Sequence, residues 1–279
     1  MPFKTLLAVV RDEENAAAIF SNAFGLCESA NSHVVGYHAA DAIGVNPALR
    51  GPLLEEWTRK ALENRALVTR NIHKAFTTAA SASQAHAEWR EPDQAAVPDS
   101  SRTLAYARTA DVIIIARKRT GQDFMVPDLT LEDLLLGSGR PVYVLPDGMV
   151  HDQPPHKVLV AWSDTPESTR AAYDALPLLK HASGGVRIVC PRPADAEHAL
   201  PMASALAESL ARHGVKVEVE PLQASHFNAG PALLAAASSF NADALVMGAW
   251  GHSRLREFVL GGATDTVLRE CPIPVLMTH

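Results

Sequence analysis

Three strand-like segments occur twice in this 279-residue chain, in the same order in each half. The paired segments are KTLLAVV and KVLVAW at residues 4–10 and 157–162, ADVIIIAR and ADALVMGA at 110–117 and 242–249, and RPVYVLP and IPVLMTH at 140–146 and 273–279. Continuous apolar runs of this kind are typical of strands that are buried on both faces of a parallel sheet. Because repeated segments mark repeated folding units, the chain is predicted to contain two copies of one α/β unit.

The length of the chain also suits two domains of about 140 residues each. A linker is expected over residues 148–155, within the stretch DGMVHDQPPH, which combines glycine, proline and polar residues. The first domain then covers residues 1–147 and the second covers 156–279. In each domain, strands that alternate with amphipathic helices favour a five-stranded, doubly wound, Rossmann-like parallel sheet with right-handed crossovers.

Two of the predicted helices bear on function. The longer covers about 53–80 and has no counterpart of its length in the second half, so it is either a surface extension or a partner-facing helix. The apolar residues on one of its faces are Leu54, Trp57, Ala61 and Val68. In the second half, Thr165 is the expected N-cap and Pro166 the first residue of a helix that runs through Leu179.

Composition excludes several classes of protein. The net charge of -6 and the pI near 6.0 argue against a broad nucleic-acid or anionic-membrane surface. No apolar run approaches the roughly 20 residues that span a bilayer, and the N-terminal sequence lacks the features of a signal peptide, so a cytoplasmic protein is expected. Cys27, Cys190 and Cys271 are widely spaced without a CxxC pair, which predicts reduced core thiols.

A glycine-rich stretch follows the apolar run 244–247. Gly248 and Gly251 bracket a turn, and Gly261 and Gly262 precede a helix that is expected to open at Thr264. Glycines at the carboxyl end of a strand let backbone N–H groups approach an anion, and a following helix N-terminus adds unpaired donors. The pattern therefore predicts a phosphate site, with simple turns between α/β elements as the alternative.

The spacing of these glycines resembles the nucleotide-binding signature of the universal stress protein family. Gly248, two residues, Gly251, nine residues and Gly261 follow that signature, whereas Gly262 stands where the family usually has Ser or Thr. The flanking stretches ALVMGAWGHSRL and VLRECPIPVLM are also similar to the family. The resemblance implies strand order 3-2-1-4-5 in each domain. It also implies that the final strands of the two domains pair within the chain, which makes an intramolecular pseudo-dimer. This pseudo-dimer could in turn form a homodimer.

The resemblance also implies a site for ATP, with or without Mg²⁺, where strands one and four of the second half end. Residues at its base and ribose end are Ala161, Trp162, Ser163 and Val189. Residues around its phosphates are Gly248, Gly251, His252, Ser253, Gly261, Gly262, Ala263 and Thr264. Ser163 departs from the family, which typically has an Asp at that position. These residues could instead have structural roles without any contact to a nucleotide. Thr264 would then be a helix N-cap, and Trp162 would be a core aromatic.

The first half lacks the glycine arrangement. Where the second half has Gly248 and Gly251, the first has Ala116 followed by the basic run 117–119. Three carboxylates at 12–14, directly after its first strand, would repel a triphosphate. The basic run is either a solvated loop or an anion site that acts by charge. The first half is thus predicted to be a degenerate structural partner.

No catalytic motif is present: the sequence contains no GxSxG, no GxxxxGK[ST] and no HExxH. Any hydrolysis is expected to be slow and incidental. Three functions stay open at this point: a stress-response protein that binds adenine nucleotide, a stress-related interaction or scaffold protein with a vestigial site, and an enzyme of a related nucleotide-hydrolysing fold.

Overall fold

The computed structural model describes residues 2–27, 31–40, 43, 50–91, 100–117, 130–150, 152–192, 199–224, 228–250 and 262–279. The chain divides into two compact units. The N-terminal unit comprises Phe3–Arg140 and Asp147–Gln153, and the C-terminal unit comprises mainly Pro141–Pro146 and Pro154–His279. The strand that closes the first repeat therefore belongs to the compact unit of the second repeat.

The N-terminal unit is a parallel sheet in the order β3-β2-β1-β4. Its strands are β1 (Thr5–Val10), β2 (His33–His38), β3 (His86–Arg90) and β4 (Val112–Ala116). Its helices are α1 (Ala16–Gly25), α2 (Pro52–Ser81), α3 (Ser100–Ala107) and α4 (Leu131–Ser138). β4 is buried along its whole length, as its VIIIA sequence predicts.

Helix α2 matches its predicted range but not its predicted core face. Only Ile72 and Phe76 are buried among its residues, whereas the predicted face over 54–68 is half-buried. Phe76 reaches the sheet because Gly36 on β2 carries no side chain: a Cβ there would lie 2.7 Å from the Phe76 ring. The Phe76 ring also packs edge-on against Phe20 of α1, with centroids 5.2 Å apart. The C-terminal half of α2 therefore anchors the helix.

The C-terminal unit is a sheet in the order β8-β7-β6-β9-β10-β5. Its strands are β5 (Val142–Leu145), β6 (Lys157–Ala161), β7 (Gly185–Arg192), β8 (Val217–Gln223), β9 (Ala244–Gly248) and β10 (Val275–Thr278). Its helices are α5 (Pro166–Asp174), α6 (Leu176–His181), α7 (Ala199–Arg212), α8 (Ala229–Phe240) and α9 (Ala263–Glu270). The predicted order 3-2-1-4-5 is confirmed for the second repeat, as β8-β7-β6-β9-β10.

The last strands of the two repeats pair with each other. β5 runs antiparallel to β10, with Val144 opposite Val275. This confirms the pairing that was predicted for the two segments. Part of the predicted linker packs instead of spanning freely: the Gly148 N–H donates to Asn15 Oδ1 at 3.1 Å, and Asn22 Nδ2 donates to the Met149 carbonyl at 3.0 Å.

One helix prediction was wrong in detail, and one helix was not predicted. The single helix expected from Pro166 through Leu179 is broken at Ala175, which ends α5 and precedes α6. The break follows from Pro177, which has no N–H and clashes with the carbonyl four residues earlier in a continuous helix. Helix α4 was not predicted, although Thr130 and Asp133 form a capping box at its start.

Other general expectations can be compared with the described parts of the chain. None of Cys27, Cys190 and Cys271 forms a disulfide, and the last two are buried. Among the described residues, no helix has both the length and the apolar character needed to cross a membrane.

Candidate functional site

The predicted base and ribose residues come together where β6 and β7 end. Ala161 lies opposite Val189 of β7 on one side and opposite Met247 of β9 on the other. The Trp162 N–H donates to the Val189 carbonyl at 2.9 Å, which extends the strand pairing by one residue. The carboxyl ends of β6, β7 and β9 are therefore adjacent, at the edge where doubly wound sheets bind ligands.

The turn after β6 is built by a helix cap. Thr165 is the N-cap of α5 and Pro166 follows at the first helical position, as the sequence predicted. Thr165 also forms a capping box with Ser168. The Ser163 N–H donates to Ser168 Oγ at 3.3 Å, and Asp164 has a φ of 54°, in the left-handed region. Ser163 is exposed on this turn, so its side chain is the accessible one where the family typically has an Asp.

Trp162 packs into the unit instead of presenting its ring at the surface. The residue is 5% exposed, and its indole Nε1 donates to Thr169 Oγ1 at 3.4 Å. Its carbonyl accepts from the buried Cys190 thiol at 3.0 Å. These contacts explain the residue as a core aromatic that fixes α5 against β6 and β7.

Gly248 ends β9 directly beneath the first turn of α5. A Cβ at this position would lie 2.5 Å from the Ser168 backbone nitrogen and 2.7 Å from the Glu167 carbonyl carbon. Real side chains do not tolerate such distances to backbone atoms, so the helix can approach the strand this closely only above a glycine. Packing of α5 is therefore a sufficient physical reason for glycine at this position.

The turn after β9 is held by Thr264. The Trp250 N–H donates to Thr264 Oγ1 at 3.3 Å, and Thr264 is 3% exposed. Trp250 has a φ of 52°, which is unusual for a bulky residue and marks a constrained backbone. Thr264 is not the N-cap of α9: Gly262 holds that position, and Thr264 is the second residue of the helix. Its hydroxyl acts as an acceptor for the preceding turn instead.

Four of the predicted phosphate residues lie outside the described part of the chain. They are Gly251, His252, Ser253 and Gly261. The described ones, Gly248, Gly262, Ala263 and Thr264, are brought together by the contact between Trp250 and α9 and by the pairing of β9 with β10. The Ala249 N–H donates to the Thr278 carbonyl at 2.8 Å, which continues that pairing past the end of β9.

Among the described residues, α5 and α9 contribute charged groups near this edge. Glu167 Oε2 is buried and has no hydrogen-bond partner in this part of the chain, and the Cβ of Glu167 lies beside Gly248 at the end of β9. Asp265 in the first turn of α9 pairs with Arg269 at 3.1 Å, with both side chains exposed. In the described parts of the chain, no group of three or more His, Cys, Asp or Glu side chains is placed to hold a metal ion.

The corresponding edge of the N-terminal unit has different chemistry. Arg11, directly after β1, donates from Nη2 to the Ala116 carbonyl at the end of β4, at 3.1 Å. His38 ends β2, is 2% exposed, and lies 2.8 Å from Thr69 Oγ1 of α2 through its Nδ1 atom. Burial, followed by the positive charge of Arg65, lowers the pKa of His38 from 6.5 to about 4. Sequence reasoning missed His38, whose only signal is a polar residue at the end of an apolar strand.

The fold is that of a doubly wound α/β protein, and in its C-terminal unit the carboxyl ends of β6, β7 and β9 lie side by side. The sequence model of the universal stress protein family matches residues 155–279. Residues 155–279 therefore form a domain of the universal stress protein family. The family match covers the repeat that carries the glycine stretch.

Individual proteins are similar to this chain over different ranges. Universal stress protein Slr1230 of Synechocystis sp. is 43% identical over 67 residues, which are 24% of this chain and 22% of that protein. The matched stretch thus spans about a fifth of that relative's length. A solved universal stress protein from Archaeoglobus fulgidus is similar over 98% of this chain and 97% of its own, with 18% identity and a TM-score of 0.69, which shows a shared fold. A universal stress protein solved in complex with cAMP is 25% identical, covering 46% of this chain and 98% of its own, with a TM-score of 0.38.

Proposed function

We propose that the C-terminal unit binds an adenine nucleotide, most simply ATP, with its phosphates at the N-terminus of α9. One observation carries the proposal: the N-cap of α9 is Gly262, which has no side chain to cap the first turn. This uncapped end lies beside the end of β9, because the Trp250 N–H bonds to Thr264 of α9. Uncapped N–H groups and the helix dipole at such an end favour a phosphate group.

The nucleoside end of the proposed site is the exposed turn after β6. Ser163 presents its side chain there, beside the backbone of Ala161 and Val189 at the ends of β6 and β7. Trp162 and Gly248 support the site indirectly, because their contacts set the position of α5 over the sheet. Gly251, His252, Ser253 and Gly261 belong to the proposed phosphate end through the spacing of the family signature.

Glu167 is the residue that fits a Mg²⁺ ion bound together with the nucleotide. Its Oε2 atom is buried without a hydrogen-bond partner among the described residues, and the Cβ of Glu167 lies beside Gly248 at the end of β9. A buried carboxylate oxygen of this kind is stabilised by a cation, and Mg²⁺ in nucleotide sites usually takes one or two protein carboxylates besides phosphate oxygens. When bound, the ion would neutralise phosphate charge close to this carboxylate.

Isothermal titration of the full chain with ATP and Mg²⁺ tests the proposal directly. We expect saturable heat at millimolar ATP or below, lost in Gly251→Val, because a side chain there keeps the backbone from the phosphates. Ala211→Val, which adds bulk at an exposed position of α7, is the matched control and should bind as the wild type does. Absence of heat with the wild-type protein would reject nucleotide binding.

Ser163→Asp sharpens the test, because it restores the acid that the family typically has. A charge-assisted hydrogen bond to the nucleoside is worth about 1.5 kcal/mol, so ATP affinity should rise roughly tenfold. Ser183→Asp, on an exposed turn of the same unit, adds the same charge elsewhere and should leave the affinity unchanged. Equal affinities for wild type and Ser163→Asp would show that the nucleoside does not lie at this turn.

The N-terminal unit is, in this proposal, a second universal stress protein repeat that acts as a structural partner. A scaffold role without nucleotide is the second candidate, since packing of α5 alone accounts for Gly248 and since Ser163 and Gly262 replace the family's polar residues. Nucleotide released by heat from the purified protein would rule against the scaffold role. Its absence, together with a flat titration, would favour it.

A further inference from the structure

His279, which follows β10, contacts the turn after β9. The parallel pairing of the two strands continues past Gly248, because the Ala249 N–H donates to the Thr278 carbonyl at 2.8 Å. The Ala249 carbonyl is contacted in turn by a side chain, since His279 Nδ1 lies 3.0 Å from its oxygen. Both backbone groups of Ala249 are therefore bonded to the end of β10.

The partner of the His279 imidazole decides which of its nitrogens carries the proton. A carbonyl oxygen can only accept, so Nδ1 is the donor in the bond to Ala249. In the neutral imidazole this bond selects the tautomer with the proton on Nδ1, and an imidazolium carries that proton as well. The bond therefore exists in both charge states, and it acts through geometry instead of charge.

Helix α5 holds the backbone of His279 from another side. Arg170 of α5 donates from Nη1 to the main-chain oxygen of His279. One turn later, Asp174 Oδ2 accepts from Thr278 Oγ1 at 3.3 Å. His279 is half-buried, and contacts fix both its backbone and its imidazole. It thus links α5 to the turn after β9.

The peptide group between Ala249 and Trp250 is bonded at both ends. Its carbonyl oxygen accepts from His279, and its N–H donates to Thr264 Oγ1 of α9 at 3.3 Å. Because a peptide group is planar, these two bonds together fix its orientation. Trp250 has a φ of 52°, and a bulky residue keeps such a conformation only where surrounding contacts determine it. The imidazole of His279 supplies one of these contacts.

We propose that His279 is a positioning residue of the nucleotide site: its imidazole holds the Ala249–Trp250 peptide, which immediately precedes Gly251, in the orientation that the site requires. This inference rests on the nucleotide site proposed for the C-terminal unit. Without the bond from His279, the peptide can turn, and only a fraction of the molecules has a turn that fits the ligand. The apparent affinity falls by that fraction.

Three substitutions of His279 separate the position of the donor from charge and bulk. His279→Ala removes the donor. His279→Asn places an amide N–H close to the position of Nδ1, whereas His279→Gln is one methylene longer and places its N–H near the position of Nε2. Neither amide carries a charge, so recovery of binding in His279→Asn excludes a direct contact between a charged imidazole and a phosphate.

Titration of the full-chain variants with ATP and Mg²⁺ measures the effect on the site. We expect the affinity to fall roughly fivefold to tenfold in His279→Ala and in His279→Gln, because each leaves the Ala249 carbonyl without this donor. His279→Asn should bind within about twofold of the wild type. His213→Gln, at an exposed histidine of the same unit, is the matched control and should bind normally.

Amide hydrogen exchange without nucleotide tests the turn itself. The Trp250 N–H, which donates to Thr264, should exchange faster in His279→Ala and His279→Gln than in the wild type and in His279→Asn. Thermal unfolding of the two amide variants provides the folding control, and their melting temperatures should agree. A loss of affinity in His279→Gln that merely parallels a lower melting temperature would contradict the positioning role.

The remaining outcomes distinguish this role from the nucleotide site itself. A flat ATP titration of the wild-type protein would reject the nucleotide site, and the role of His279 in it. Binding by the wild type with equal affinity in His279→Ala would overturn the role of His279 alone. An equal loss in His279→Asn and His279→Ala, or unchanged exchange at Trp250, would do the same and leave the nucleotide site in place.

Discussion

The two units share the same strand order, but different side chains lie at the carboxyl ends of their strands. In the C-terminal unit, a glycine ends the fourth strand of the repeat, and the N-terminus of α5 rests on it, with a Cβ excluded by backbone atoms 2.5 Å away. In the N-terminal unit, Ala116 holds that place, and an arginine side chain bonds to its carbonyl. Gly248 thus lacks the methyl group that Ala116 has. A helix packs against the strand end at Gly248, whereas the Arg11 side chain bonds to the strand end at Ala116.

The second strand of each repeat shows the same contrast. β2 ends in His38, whose imidazole is buried against Thr69, whereas the corresponding part of β7 contains Cys190, whose thiol donates to a backbone carbonyl. Both side chains are buried, and burial lowers the pKa of the His38 imidazole to about 4. The comparison teaches that a repeated fold can keep its strand order while the buried polar side chains at its strand ends differ between the copies.

Acidification should produce the largest effect, and it should act through the N-terminal unit. Folding lowers the pKa of His38 from 6.5 to about 4, so the unfolded chain binds a proton at this residue more readily than the folded chain does. The unfolding free energy should therefore be at its full value above pH 6.5 and should fall as the pH drops toward 4. Such a shift is worth about 3 kcal/mol of unfolding free energy. Denaturant unfolding at several pH values measures how steeply the unfolding free energy falls with pH. This fall should be shallower in His38→Gln than in the wild type.

The exposed His213 provides the control for this experiment. His213→Gln should keep the wild-type loss of stability between pH 6.5 and 4. If His38→Gln lost stability with pH as steeply as the wild type, the buried imidazole would not be the group responsible.

Gly248→Ala should give the next largest effect, and it tests the C-terminal edge. The added Cβ would meet the Ser168 backbone nitrogen, so α5 must shift, at a cost of roughly 2 kcal/mol in unfolding free energy. Ala116→Gly, the reciprocal change in the N-terminal unit, only removes a methyl group and adds backbone freedom, for about 1 kcal/mol. Chemical denaturation measures both, and an equal or smaller cost for Gly248→Ala would contradict the packing account.

Removing helix caps should give the smallest effect. Thr165→Ala at α5 and Thr130→Ala at α4 each remove one capping box, for about 1 kcal/mol. The loss at α5 should be the larger, because its partner Ser168 is 2% exposed, whereas the hydrogen bonds between Thr130 and Asp133 are exposed to water. Thermal unfolding of the two variants ranks them, and the reverse order would count against burial as the reason.

The sequence was sufficient to predict what depends on local pattern. The bounds of β1 and β4 match their apolar runs, and Thr165 and Pro166 mark the start of α5 as their residue types indicate. Pro177 also indicates the break at Ala175. The prediction of one continuous helix followed the apolar periodicity, which continues to Leu179.

What could not be predicted depends on contacts between distant parts of the chain. That Gly248 lies beneath α5 is visible only once the helix is placed on the sheet. Likewise, Thr264 has the residue type of an N-cap, yet it lies inside α9 and accepts from Trp250. A hydroxyl residue before a helix specifies a hydrogen bond, whereas its partner is decided by tertiary packing.

The antiparallel pairing of β5 with β10 has a practical consequence for dissecting the protein. Cutting at the boundary of the family match, before Pro155, would remove β5 and leave one side of β10 with bare N–H and C=O groups. Such a fragment would expose an unpaired strand edge and should therefore associate with copies of itself more readily than the intact chain does.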